Sequence, residues 1–217
     1  MGTASQKENI IKYYNREAEQ RDSKSVKDDW KIVVREKFRS LIAQENKKTL
    51  LELGAGTGYD SLFFMENGLD VVAVDISPEM VKKCKEKSIE AYELDFFDLS
   101  SLNKKFDCVY TMNALLHVPK ADLSVVLDGI DSILNPNGLF YMGIYGGQDV
   151  EGEVILNSVC GLPTGSISET PLFYALHSED YLKSVLAKHF EILDYEQICV
   201  NKGEISIFHS VTMRKFG

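Results

Sequence analysis

The chain has 217 residues, 44% hydrophobic and 26% charged, enough for one α/β domain with a full core or a domain plus a small lid. Its 24 basic and 33 acidic residues give a formal net charge of −9. That balance argues against a general nucleic-acid partner, which needs a clustered basic face.

The lysines of VKKCKEK (residues 81–87) are interrupted by a glutamate and read as one solvated helix face. Cys84, Cys108, Cys160 and Cys199 lie far apart with no C-x-x-C pair, so reduced thiols in a cytoplasmic protein are expected, without zinc or disulfides. The start, MGTASQKENI, lacks the apolar core of a signal peptide, and Gln6 stands where an N-myristoylation signal needs Ser or Thr. No apolar run approaches the about 18 residues that span a membrane, so a soluble chain without a membrane partner is expected.

In chain order, residues 8–44 place Ile10, Tyr13, Tyr14, Trp30, Val33, Val34, Phe38 and Leu41 at helical spacing, predicting two helices joined around residues 21–25. Strands are predicted at 49–53, 70–75, 91–94, 106–112 and 138–144, and helices at 59–67, 78–87 and about 121–134. Ser77 caps the helix that begins at Pro78, with Glu79 at the positive end of its dipole. Pro136, Asn137 and Gly138 form the turn into the last parallel strand, and Ser178 caps a late helix. Two β-rich runs, 190–200 and 204–213, meet at an Asn-Lys-Gly hairpin turn. The alternation predicts a mostly parallel sheet, covered on both faces, with one antiparallel strand. Ligands in such a sheet sit beyond the carboxyl ends of the strands, at the switch point.

The stretch LLELGAGTGYD (residues 50–60) carries the functional signal. A dinucleotide fingerprint, G-x-G-x-x-G, needs a third glycine for close helix–strand packing, but Tyr59 occupies that position and the extra glycine is Gly58. The pattern that fits is E-x-G-x-G-x-G over Glu52–Gly58. Further on stand VVAVDIS, ending its strand in Asp75, then YELDFFDL with Asp95, FDCVYTMNALLHVP and LNPNGLFYMGIYG. In these five segments, in order and spacing, the chain resembles the class I S-adenosylmethionine-dependent methyltransferases over roughly residues 47–213.

That resemblance implies a seven-stranded Rossmann-like α/β/α domain over residues 47–217, with residues 1–46 as a helical cap. It implies S-adenosylmethionine as cofactor, held by Tyr14, Glu52, Gly54, Ala55, Gly56, Thr57, Gly58, Asp75, Ile76, Ser77, Met80, Asp95, Phe96, Met112 and Asn113. Asp75 is expected at both ribose hydroxyls and Asp95 at the adenine amine, with helix capping as the alternative duty of Asp95. The chemistry agrees. The anionic end of this cofactor is a carboxylate, which bare glycine backbone and a helix N-terminus both suit.

Methyl transfer from a sulfonium needs alignment at roughly 3 Å, exclusion of water and, for some acceptors, loss of a proton. His117 and Tyr145 are the catalytic candidates: His117 as a base or as a ring packed beside the cofactor, Tyr145 facing substrate with Gln148. Phe173, Tyr174 and His177 are expected to line a lid, and Tyr13, Trp30 and Arg35 to fold over the cofactor or pack in the core. After the fourth strand TMNALL lacks the proline pair of amino-methylating DNA enzymes, the Pro-Cys dipeptide of cytosine-C5 enzymes is absent, and Asn113 alone makes no metal site. The expectation is a methyltransferase of an unidentified small molecule, monomeric or homodimeric. The alternatives are a protein or RNA acceptor, or a non-catalytic cofactor-binding module.

Overall fold

The apolar run TLLEL forms β1 (Thr49–Leu53), beside the central strand of a seven-stranded sheet in the computed structural model, which describes residues 3–23, 28–155, 170–202 and 205–217. The other strands are β2 (Asp70–Asp75), β3 (Glu90–Glu93), β4 (Phe106–Met112), β5 (Leu134–Gly146), β8 (Phe190–Lys202) and β9 (Ile205–Lys215). A separate antiparallel pair, β6 (Val150–Ile155) and β7 (Pro171–Leu176), stands outside that sheet. The main order is β3-β2-β1-β4-β5-β9-β8. The first five strands are parallel, and β9 runs antiparallel to both β5 and β8. The order reverses between β1 and β4, so a crevice opens beyond their carboxyl ends.

Side-chain alternation divides the core into two layers. Leu50, Cys108, Tyr110, Leu139 and Tyr141 face α2 (Asp29–Gln44) and α3 (Tyr59–Glu66), whose Val34, Phe38, Ile42 and Phe64 are buried against them. Leu51, Leu53, Val109, Phe140 and Met142 face α5 (Leu123–Ile133) and α6 (Glu179–Leu186). On the far side of β2, α4 (Pro78–Glu86) packs Val81 and Cys84 on Ala73 and Ala91. Both predicted serine caps form: Ser77 accepts the Met80 N–H and Ser178 the Tyr181 N–H, each at 3.2 Å.

The long first helix, α1 (Ala4–Ser23), lies along α4 through polar contacts. Ser77 donates to Asn15 at 2.7 Å, Lys83 pairs with Glu19 at 2.7 Å, and Lys87 pairs with Asp22. Its Tyr13 and Ala18 are buried on the other side. The β6–β7 pair was not predicted. Glu151, Gly152 and Glu153 interrupt the apolar alternation that marks a strand, so the pairing is carried by β7, whose Leu172 and Ala175 are fully buried. Segment 96–102, after β3, is a 3-10 helix. Of the predicted Asn-Lys-Gly turn, Gly203 lies outside the described residues, as do Lys24 and Ser25 of the first helix junction, and Cys160.

Candidate cofactor and acceptor site

Beyond the ends of β1, β2, β4 and β5, and beneath α1, lies a cavity of about 570 Å³, within the ordinary range of ligand sites. Its floor is the loop after β1. Gly54 and Gly56 adopt left-handed φ of +66° and +55°, a conformation other residues resist. A Cβ on Gly54 would stand 2.3 Å from that of Ala114, whereas one on Gly56 would meet nothing within 4 Å, so bare backbone faces open space there. The loop is tied down by Gly54 and Ala55 N–H groups donating to the Val74 carbonyl at 2.8 and 3.1 Å.

Asp75 ends β2 beside this loop, and its carboxylate accepts the N–H groups of Gly56 and Ser77, each at 2.9 Å. Burial pushes its carboxyl above the usual range, opposed by those N–H bonds and by Arg21. A carboxylate has about four lone-pair sites, so acceptor capacity remains for a ligand. Asp95 caps the 3-10 segment by accepting the Phe97 N–H at 3.2 Å, and its second oxygen pairs with Lys7 of α1. Ile76, Met80, Leu94 and Phe96 supply the apolar wall between the two acids.

The opposite wall is aromatic. Asn113, at φ +56°, turns the chain after β4 and anchors the bend with a 2.7 Å bond from its N–H to the Gly143 carbonyl. The turn that follows delivers His117, whose Nδ1 lies 2.8 Å from the Phe173 carbonyl and whose Nε2 lies 2.7 Å from the Tyr14 hydroxyl. A carbonyl only accepts, so Nδ1 carries the proton and Nε2 accepts from Tyr14. Burial holds His117 neutral, with its pKa lowered to about 4, helped by nearby Arg21 and opposed by the Phe173 carbonyl. Burial likewise raises Tyr14 to about 12, against the pull of Arg21. Tyr145 is 1% exposed, its hydroxyl has no hydrogen-bond partner, and its ring meets Trp30 edge-on at 6.4 Å.

Among the predicted site residues, Tyr14, Gly54, Ala55, Gly56, Thr57, Asp75, Ile76, Met80, Asp95, Phe96, Met112, Asn113, His117 and Tyr145 all line this one cavity. Glu52, Gly58 and Ser77 stand behind its wall. Glu52 is buried and accepts from the Ser61 hydroxyl, fixing α3 to β1. A Cβ on Gly58 would stand 2.6 Å from Ile89, so this glycine serves helix packing. Ser77 caps α4. Tyr13 is core, Trp30 packs on Phe208 at 4.4 Å, and Arg35 binds Asp60 at 2.8 Å. Phe173 and His177 are buried outside the wall and Gln148 is exposed, while Tyr174 does reach the cavity.

Sequence reasoning missed Lys7, Arg21, Lys31 and Tyr59, which also line the cavity. Tyr59, read as an obstacle to dinucleotides, instead donates to the Asp22 carbonyl at 2.5 Å and so ties α1 to the floor loop. Arg21 lies three to four turns along α1 from Lys7, but period alone could not say which face of α1 turns inward.

Residues 50–138 match the family model described as a methyltransferase domain. A malonyl-[acyl-carrier protein] O-methyltransferase of Hamiltonella defensa is 37% identical over 95 residues, covering 43% of this chain and 36% of the relative. The glycine N-methyltransferase of Mus musculus is 27% identical over 179 residues, covering 71% and 58%. The chain thus spans only about a third to three-fifths of the length of these curated relatives. Among solved structures, a 1,6-didemethyltoxoflavin-N1-methyltransferase of Burkholderia thailandensis, with bound S-adenosylhomocysteine, superposes with a TM-score of 0.69 at 20% identity, covering 99% of this chain and 88% of that one.

Proposed function

We propose that the chain, whose residues 50–138 match the methyltransferase-domain family model, is a class I S-adenosylmethionine-dependent methyltransferase that transfers a methyl group to a small-molecule acceptor held between α1 and the ends of β4, β5 and β7. The observation that carries this reading is the enclosure of both walls in one cavity, glycine backbone and two acids on one side, aromatic hydroxyls on the other.

The residues present suit the cofactor. Gly56 leaves room where a side chain would intrude, and Asp75, already oriented by two N–H bonds, keeps acceptor sites for a diol. Asp95, Ile76, Met80 and Phe96 would hold the adenine, and Gly54, Ala55, Thr57 and the start of α3 the carboxylate. When bound, S-adenosylmethionine supplies a methyl group already activated on a sulfonium.

The chain's own part is enclosure and alignment. Residues 1–46 would act as the cap, with α1 closing over the cavity through Ile10, Tyr14 and Arg21 and keeping water out. His117 would act as a positioning residue: its Nε2 receives the Tyr14 proton and so aims the lone pairs of the Tyr14 oxygen. Of the two roles the sequence left open for His117, a base or a ring packed beside the cofactor, this reading takes the second, since its nitrogens are engaged by Tyr14 and the Phe173 carbonyl. Tyr145 remains the candidate for acceptor contact. A cavity of about 570 Å³ suits a small molecule better than a protein or RNA acceptor.

Thermal unfolding tests the reading. S-adenosylhomocysteine at 100 times its dissociation constant should stabilise by about 2.7 kcal/mol, a rise of roughly 5–10 °C for a chain of this size. NAD should give none. A shift with NAD alone would overturn the assignment.

A further inference from the structure

Three buried atoms of described residues on the cavity wall lack a hydrogen-bond partner: Arg21 Nε, the Tyr145 hydroxyl and Asn113 Oδ1. The Asn113 carbonyl oxygen only accepts and calls for a donor, whereas the Arg21 Nε–H only donates and a free hydroxyl can donate, so these two call for acceptor oxygens. The lining charges agree. Asp60 is held by Arg35 at 2.8 Å, Asp95 by Lys7, and Lys31 lies 3.5 Å from Asp28, while Asp75 takes backbone N–H groups. Arg21 stands out as the cation, 5.0 Å from the Tyr14 ring centre. Two acids bear on it, Glu17 buried behind the wall and Asp75 on the wall itself.

His117, the imidazole of this wall, can take a proton only by way of Tyr14, since its other nitrogen faces the Phe173 carbonyl. Phenols and protonated amines, with pKa values near about 10, would need a base, whereas a carboxylic acid near about 4 is ionised at neutral pH.

We propose, building on the methyltransferase reading, that the acceptor is a carboxylate-bearing small molecule methylated on oxygen, with Arg21 and Tyr145 gripping the anion. A carboxylate oxygen forms the new O–C bond with its lone pair as the methyl C–S bond breaks. The electron pair of that bond stays on sulfur, both charges vanish, and no proton moves. Because the negative charge disappears in the step, the Arg21 contact stabilises bound acceptor more than the transition state and acts mainly on KM.

The test incubates the chain with methyl-tritiated S-adenosylmethionine and a panel of aliphatic and aromatic monocarboxylates, each beside its amide, amine and phenol counterpart. Label is expected in the carboxylate arm, released as volatile methanol by mild alkali, at a rate flat from about pH 6 to about pH 8.5. Arg21→Gln should raise the acceptor KM about 10- to 100-fold, with kcat changed about twofold at most. Arg21→Lys should recover part of that loss. Alkali-stable label, a preference for amines or phenols, or a rate that climbs with pH overturns the proposal. Loss of S-adenosylhomocysteine binding in Arg21→Gln, measured by calorimetry, also overturns it and assigns the guanidinium to the cofactor. Binding of S-adenosylhomocysteine with no label in any arm counts against a carboxylate acceptor, whereas no binding at all sinks the methyltransferase reading beneath it.

Discussion

On the side of Gly54, Gly56 and Asp75 the cavity wall is mainly backbone and one strand-end acid, supplied by two adjacent strands. On the side of Tyr14, His117, Tyr145 and Tyr174 it is aromatic side chain, drawn from α1, the turn after β4, the end of β5 and β7. The first wall is fixed by main-chain bonds such as Gly54 and Ala55 to Val74. The second is fixed by tertiary packing and a hydrogen-bond chain from Tyr14 through His117 to Phe173. The first wall thus depends on the sheet itself, whereas the side chains of the second can be exchanged without disturbing the sheet.

Gly56→Val should break the first wall and spare the second. A β-branched side chain at φ +55° costs about 1–2 kcal/mol of strain and fills the space beside the loop. Calorimetry should show S-adenosylhomocysteine affinity falling more than about 100-fold, with the sheet still folding cooperatively. Retained affinity would remove the loop from the site.

Tyr14→Phe should act on the second wall alone. It leaves His117 Nε2 buried without its donor, at a cost of about 1–3 kcal/mol. Denaturant unfolding should register that loss, while cofactor affinity changes little. An equal loss in affinity would mean the two walls are one unit.

How much of this was readable follows the same division. The floor loop is local: the glycines, their strand and their helix fall within residues 49–66, and Asp75 and Asp95 follow recognisable strand ends. A mostly parallel sheet with one antiparallel strand was likewise foreseen from alternation and the closing hairpin, and its seven strands from the family resemblance, but the strand order was not. Arg21 and Lys31 were not, because their inward orientation depends on how α1 and α2 dock. Glu52 and Ser77 fit the motif but serve the scaffold, one holding Ser61 and the other capping α4, a distinction that needs three dimensions.

Two buried histidines of the aromatic side make the fold acid-sensitive. His117 and His177 both have pKa values lowered to about 4, chiefly by burial, from an ordinary 6.5. Between those limits the unfolded chain binds protons that the folded chain refuses, so their contribution is full above pH 6.5 and is lost as pH falls toward 4. The slope is on the order of 1.4 kcal/mol per pH unit for each histidine at most. Melts of parent and a His117→Gln, His177→Phe double variant should show a flatter slope in the variant. Identical slopes would place the acid sensitivity elsewhere.

The smallest effect belongs to Lys7→Ala. Its pair with Asp95 bridges α1 to the cofactor wall but is partly exposed, worth about 1 kcal/mol or less and screened by salt. Cofactor dissociation measured by stopped flow should quicken modestly at low ionic strength, and the difference should vanish in high salt. A difference that persists in high salt would assign Lys7 a direct contact.

The most direct test of the account is calorimetric titration of S-adenosylhomocysteine into the parent and Asp75→Ala. The carboxylate of Asp75, aligned by Gly56 and Ser77, is the acid proposed to hold the cofactor. Hydrogen bonds to a charged group contribute about 1.5–3 kcal/mol each, so the variant should bind at least about tenfold more weakly. Equal affinity in the two proteins, or no binding by the parent, would contradict the placement of the cofactor in this cavity.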